Sequence, residues 1–165
     1  MHQDQRYLHV EPGTCVAAWL ALDRCDEENG CLMIVPGSQN LPVLCLVHAD
    51  SKESFTWDTV PVPPGCEVKM LVMEPGDMLF FNGSLIHGSP PNSSEDRFRR
   101  IVVGHYLVAE AERVASGYHP VYRMDGTIVE FGVSEGGGPC GTFTVIDGEP
   151  VVEMTGRLEE AISPH

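Results

Sequence analysis

Positive charge is scarce in this chain. Lys and Arg number 10 against 24 Asp and Glu, so the 165 residues carry a net charge of −14. Such a surface repels phosphate backbones and anionic lipid headgroups, which argues against nucleic acid and membrane surfaces as partners. No apolar run approaches the roughly 18 residues that a membrane-spanning helix needs, and no leader-like segment opens the chain, where Met1 is followed by His-Gln-Asp-Gln-Arg. Helical periodicity is also sparse: only residues 109–116 and 155–162 favour helix, and both stretches are short. The six cysteines (Cys15, Cys25, Cys31, Cys45, Cys66, Cys140) form no C-x-x-C pair. Several lie in apolar stretches, so they are expected to be free thiols in a reducing cytoplasm. A glycine cluster at 136–138 lacks the Gly-Lys-Ser/Thr of a phosphate loop, and Gly83-Ser84-Leu85-Ile86-His87 is not the G-x-S-x-G elbow of a hydrolase.

What is present is a succession of short apolar runs, at residues 16–22, 31–35, 43–48, 67–73, 78–82 and 100–108, separated by turns such as Pro36-Gly37, Pro63-Pro64-Gly65 and Pro75-Gly76-Asp77. The first two runs flank a polar turn at 23–30 and are predicted to pair with each other. Thirteen prolines and seventeen glycines fall mostly between such runs. The pattern predicts an all-β fold with few short helices, a double-stranded β-helix of jelly-roll or cupin-like form. One domain suits the length. Residues 1–108 are predicted to hold a partial β-helix core with the site, and 109–165 a hairpin-rich extension of the same domain with Asp-Gly turns.

His2 and Asp4 stand two residues apart, which on a strand would point both side chains to one face. Alone, the pair reads first as a solvated polar terminus. A third candidate is His87, in Leu-Ile-His-Gly-Ser. Two histidines and one carboxylate on one face of a metal, with the remaining positions open, suit ferrous iron in oxygen-activating enzymes. The other histidines, His9, His48, His119 and His165, have no partner at metal spacing and are expected to be surface or structural. His105 shares strand parity with Arg99, a position open to the cavity.

Beyond the ligand types, the stretches His2-Gln-Asp-Gln, Ala18-Trp19-Leu-Ala-Leu, Glu28-Asn-Gly-Cys-Leu, Pro36-Gly-Ser, Pro75-Gly-Asp, Phe80-Phe81-Asn-Gly, His87-Gly-Ser and Arg97-Phe-Arg-Arg occur in an order that resembles the phytanoyl-CoA dioxygenase family of iron(II)- and 2-oxoglutarate-dependent oxygenases. The resemblance implies that His2, Asp4 and His87 hold Fe(II). It implies further that 2-oxoglutarate and O2 are cosubstrates, and that Arg99 (or, as the alternative, Arg97) pairs with the far carboxylate of 2-oxoglutarate. Gln3, Trp19 and Ser89 fall where similar proteins touch the cosubstrate. Asp4 favours hydroxylation, since related halogenases have a small residue there. The implied activity is hydroxylation of a small organic substrate, with release of succinate and carbon dioxide. Family members carry roughly a hundred residues before the H-x-D motif, so the chain is expected to be a fragment of a longer reading frame. A non-catalytic jelly-roll domain that holds no iron remains the alternative.

Overall fold

The computed structural model describes residues 1–49, 57–147 and 149–157. In chain order the strands are β1 (Val10–Glu11), β2 (Cys15–Ala21), β3 (Leu32–Ile34), β4 (Val47–His48), β5 (Asp58–Thr59), β6 (Lys69–Leu71), β7 (Met78–Asn82), β8 (His87–Gly88), β9 (Ile101–Leu107), β10 (Arg113–Ala115), β11 (Val121–Tyr122), β12 (Ile128–Val129), β13 (Gly132–Ser134), β14 (Pro139–Ile146) and β15 (Glu149–Arg157). The described helical elements are three single 3-10 turns, at Asp4–Arg6, Ser38–Asn40 and Ser116–Tyr118. The fold is a jelly roll.

Two three-stranded antiparallel sheets carry the site, in the orders β7-β2-β9 and β6-β3-β8. Along β2 the residues Cys15, Ala17, Trp19 and Ala21 are all buried, as the two-residue period of a strand requires for one inward face. Ala17, Trp19 and Ala21 meet Phe81 of β7 and Leu32 of β3 in one apolar cluster, so the two sheets pack face to face around it. Side chains of Val35, Leu44, Leu46, Val60 and Ile86 form a second cluster. A third gathers Val10, Cys15 and Val114, with Tyr118, Val121 and Phe131 of the later residues packed on it.

Four sequence expectations need correction. The runs at 16–22 and 31–35 do not pair with each other: β2 pairs with β7 and β9, while β3 lies in the opposite sheet with β6 and β8. The turn between them therefore crosses from one sheet to the other. Residues 109–116 form no α-helix; β10 lies there instead, because the fully buried Val114 is paired with Val10 on one side and Val133 on the other, and Ser116 only opens the 3-10 turn that follows. Of the second helix-prone stretch, 155–157 complete β15, and the rest lies outside the described residues. Finally, Cys45 and Cys140 form a disulfide across 95 residues of sequence, beside a parallel bridge between Leu44 and Gly141. Cys15, Cys25, Cys31 and Cys66 are free thiols. The disulfide removes the inference from unpaired cysteines to a reducing compartment. No helix among the described residues is long and apolar enough to cross a membrane.

Two antiparallel pairs lie in the later residues, β11 with β12 and β14 with β15. Asp125-Gly126 sits in the turn between β11 and β12, and Asp147 adopts a φ of 52° between β14 and β15.

Candidate metal centre

His87 lies on β8, opposite Ile34 of β3. The first residues run alongside it: the His2 N–H donates to the His87 carbonyl at 2.8 Å and the His87 N–H to the His2 carbonyl at 3.0 Å. His2 thus occupies an isolated bridge rather than a full strand, and Asp4 opens a 3-10 turn. The two side chains do reach one place, but the second does so from a helical turn and not by strand alternation. Between them Gln3 is fully buried. Its Nε2 donates to the carbonyls of Ser84 (2.8 Å) and Pro42 (3.1 Å), and its Oε1 accepts the Leu44 N–H at 2.8 Å. Gln3 is a brace that fixes the segment between the two candidate ligands, and it does not line the cavity.

Asp4 Oδ1 stands 3.3 Å from His2 Nε2 and 3.6 Å from His87 Nε2. Two ligands at right angles on a shared ion, each about 2.1 Å from it, would be about 3 Å apart, close to both separations. Among the described residues, these three form the one cluster of His, Cys, Asp or Glu whose donor atoms converge in this way. Asp4 and His87 are 7% and 6% exposed. Burial pushes the His87 pKa down, so its ring is neutral near pH 7. Its Nδ1–H donates to the Leu85 carbonyl at 3.0 Å, which leaves a lone pair on Nε2. That lone pair faces a carboxylate oxygen. Two acceptors turned toward each other in a buried site are unfavourable unless a cation lies between them, so the donor set fits a metal. Burial alone would raise the Asp4 pKa. Hydrogen bonds from His105 and His2, together with the electrostatic pull of His87 and His2, hold it well below the usual carboxylate range.

A cavity of about 320 Å³ opens beside these groups, with Trp19, Leu32, Phe81, Ser89, Val103 and His105 in its wall. Trp19 lines it from the middle of β2, and Phe81 packs its ring 4.6 Å from that of His87. Ser89 stands on the rim and accepts a hydrogen bond from Arg99 Nη1 at 3.3 Å. Arg97 faces elsewhere, with its fork taken by Asp26 (2.8 and 2.9 Å) and by Glu28. The loop holding those acids also grips the segment that carries Arg99: buried Asn29 donates to the Phe98 carbonyl at 3.2 Å, and the Glu28 carbonyl accepts from Ser93. Gly30 has a φ of 80°, and a Cβ there would meet the Pro90 carbonyl oxygen at 2.6 Å, so this close approach requires glycine.

Of the remaining histidines, His48 pairs with Asp58 at 3.3 Å and His9 lies against Gly136. His119 holds a buried Nε2, and His165 lies outside the described residues. His105 is the functional candidate whose contact the sequence did not disclose. Its strand parity pointed to the cavity, but only the fold brings its Nε2 to 3.1 Å from Asp4 Oδ2.

A jelly roll that gathers two imidazoles and a carboxylate beside an open cavity is a candidate facial metal site, with a ligand set of the type that suits iron in oxygen-activating enzymes. The model of the family described as Phytanoyl-CoA dioxygenase (PhyH) matches residues 1–101, and the chain belongs to this family. It is 34% identical over 115 residues to the probable phytanoyl-CoA dioxygenase of Caenorhabditis elegans, covering 64% of this chain and 35% of that protein. It is 33% identical over 121 residues to the peroxisomal phytanoyl-CoA dioxygenase of Rattus norvegicus, covering 70% and 35%. The chain thus spans about a third of the length of these curated relatives. Among solved structures, the epimerase SnoN in complex with Fe3+, alpha ketoglutarate and nogalamycin RO superposes with a TM-score of 0.53 over 80% of this chain and 52% of its own length, at 22% identity. That likeness concerns the fold.

Proposed function

We propose that this chain carries the iron centre of an iron(II)- and 2-oxoglutarate-dependent dioxygenase that hydroxylates an unactivated C–H bond of a small organic substrate. The reading is carried by the convergence of His2, Asp4 and His87 donor atoms on one point beside a cavity. Membership of the phytanoyl-CoA dioxygenase family supports it. Iron(II) with 2-oxoglutarate supplies, when bound, the reduction of dioxygen and the transfer of one oxygen atom to the substrate, with succinate and carbon dioxide released.

The chain's own residues hold, orient and exclude water. His2, Asp4 and His87 are the three metal ligands and leave the remaining positions open. Arg99 pairs with the far carboxylate of 2-oxoglutarate through its planar fork in this reading, which its hydrogen bond to Ser89 on the rim supports. Trp19, Leu32, Phe81 and Val103 give the cavity an apolar wall that keeps water from the reacting groups. Asp4 supplies the third ligand as a carboxylate, which fits hydroxylation.

Anaerobic titration with Fe(II) and 2-oxoglutarate tests this. The expected result is a weak visible charge-transfer band that saturates at one iron per chain and disappears in His87→Ala and Asp4→Ala. Protein that binds no iron and gives no band would be a jelly-roll domain without this chemistry, and the proposal would be wrong.

A further inference from the structure

The two carboxylate oxygens of Asp4 have different neighbours. Oδ1 faces the imidazoles of His2 and His87, whereas Oδ2 is turned to His105 Nε2 at 3.1 Å. An ionised carboxylate only accepts hydrogen bonds, so the proton of this contact belongs to His105 Nε2. His105 projects from the middle of β9 directly opposite Ala17 of β2, whose small side chain leaves room for an imidazole on that face. Behind it, the ring of Tyr118 meets that of His105 edge-on, with centroids 6.4 Å apart. Tyr118 is itself packed on the apolar cluster of Val10, Cys15 and Val114. The donor is therefore fixed by a central sheet on one side and by the residues that follow β9 on the other.

We propose that His105 is a positioning residue for the metal-binding carboxylate: it holds Asp4 Oδ2 in a hydrogen bond, so that Asp4 offers one oxygen, Oδ1, to the metal. The inference rests on the metal site assigned above. A carboxylate bound through both oxygens occupies two positions on the ion, and 2-oxoglutarate with dioxygen needs three beyond the protein ligands. Torsion about the Cα–Cβ and Cβ–Cγ bonds is all that separates the two modes, and a fixed donor on Oδ2 decides between them. Groups that hydrogen-bond metal ligands in this manner set the orientation and basicity of those ligands.

The test uses Co(II) as the probe, the dissociation constant being read by competition with a chromophoric chelator and the coordination by the visible d–d spectrum. His105→Phe keeps the ring volume and removes the donor, while His105→Gln keeps a donor. The expected result is that the Phe variant binds Co(II) about 10–100-fold more weakly with an altered spectrum, and the Gln variant stays within about threefold of the native protein with its spectrum retained. Unchanged affinity and spectrum in His105→Phe would overturn the proposal, as would a loss in His105→Gln equal to that in the Phe variant, which would indicate packing rather than hydrogen bonding. Melting curves of the metal-free proteins check that the variants fold, and His105→Leu takes the place of a Phe variant that does not. If the native protein takes up no Co(II) and His87→Ala changes nothing, the metal site itself is refuted; if native uptake is normal and only the His105 variants are indifferent, this inference alone fails.

Discussion

Arg97 and Arg99 lie two residues apart and are given different work by their neighbours. The Arg97 fork is taken up by Asp26 and Glu28, which also hold the loop ahead of β3, while Arg99 reaches Ser89 at the cavity rim. If Arg99 binds 2-oxoglutarate, Arg99→Ala should weaken it about 10–100-fold, because a charge-assisted hydrogen bond contributes about 1.5–3 kcal/mol. Arg97→Ala should leave the affinity within about threefold, since its carboxylate partners sit at the surface. Titration of 2-oxoglutarate at fixed Fe(II) under anaerobic conditions separates the two, and a reversed order would move the cosubstrate to Arg97. At this scale the sequence shows which residue types are present but not what each side chain meets. The candidate ligands His2, Asp4 and His87 stand out only when their residue types are read with the family resemblance, since the short His-x-Asp pattern alone suits a polar terminus as well. The role of Gln3 does not, because an amide beside a ligand motif can face the cosubstrate or the interior, and only the positions of Pro42, Leu44 and Ser84 decide that it is a brace.

Strands were easier to see than their partners. β7 has the bounds expected from its apolar run, and β2 and β9 differ from theirs by about a residue at each end. Alternation and Gly/Pro punctuation are local, so the chain displays them directly. Pairing is not local, and the polar turn at 23–30 looks like a hairpin turn although it crosses between sheets. The Ala- and Glu-rich stretch at 109–116 has helical propensity, yet burial of Val114 between β1 and β13 outweighs it. The bond between Cys45 and Cys140 spans too much sequence to be inferred from spacing, and it ties the loop that braces Gln3 to β14. In denaturant without reductant, four thiols per chain should react with a thiol reagent, rising to six after reduction. Six at the outset would contradict the disulfide. Reduction should also cost about 2–4 kcal/mol of stability, read from denaturant unfolding with and without reductant.

Across the whole molecule, the candidate ligands draw residues 2, 4 and 87 together and so join the first segment to β8. Metal bound at this point stabilises the folded chain by mass action. At a hundred times its dissociation constant it adds about 2.7 kcal/mol, a rise of about 5–10 °C in melting temperature for a chain of this size. Co(II) should produce that rise in the native protein and none in His87→Ala; equal rises in both would mean that the metal binds elsewhere. One further property follows from the outer strand of the β7-β2-β9 sheet. Among the described strands β9 is paired along one edge only, and its Val102 and Tyr106 are exposed, so this is an edge of the kind that another chain can pair with. What opposes such contact is the net charge of −14, whose repulsion reaches about 10 Å at 0.1 M salt and about 3 Å at 1 M. Ionic strength, rather than any feature of the metal centre, therefore sets how closely two of these molecules can approach edge to edge.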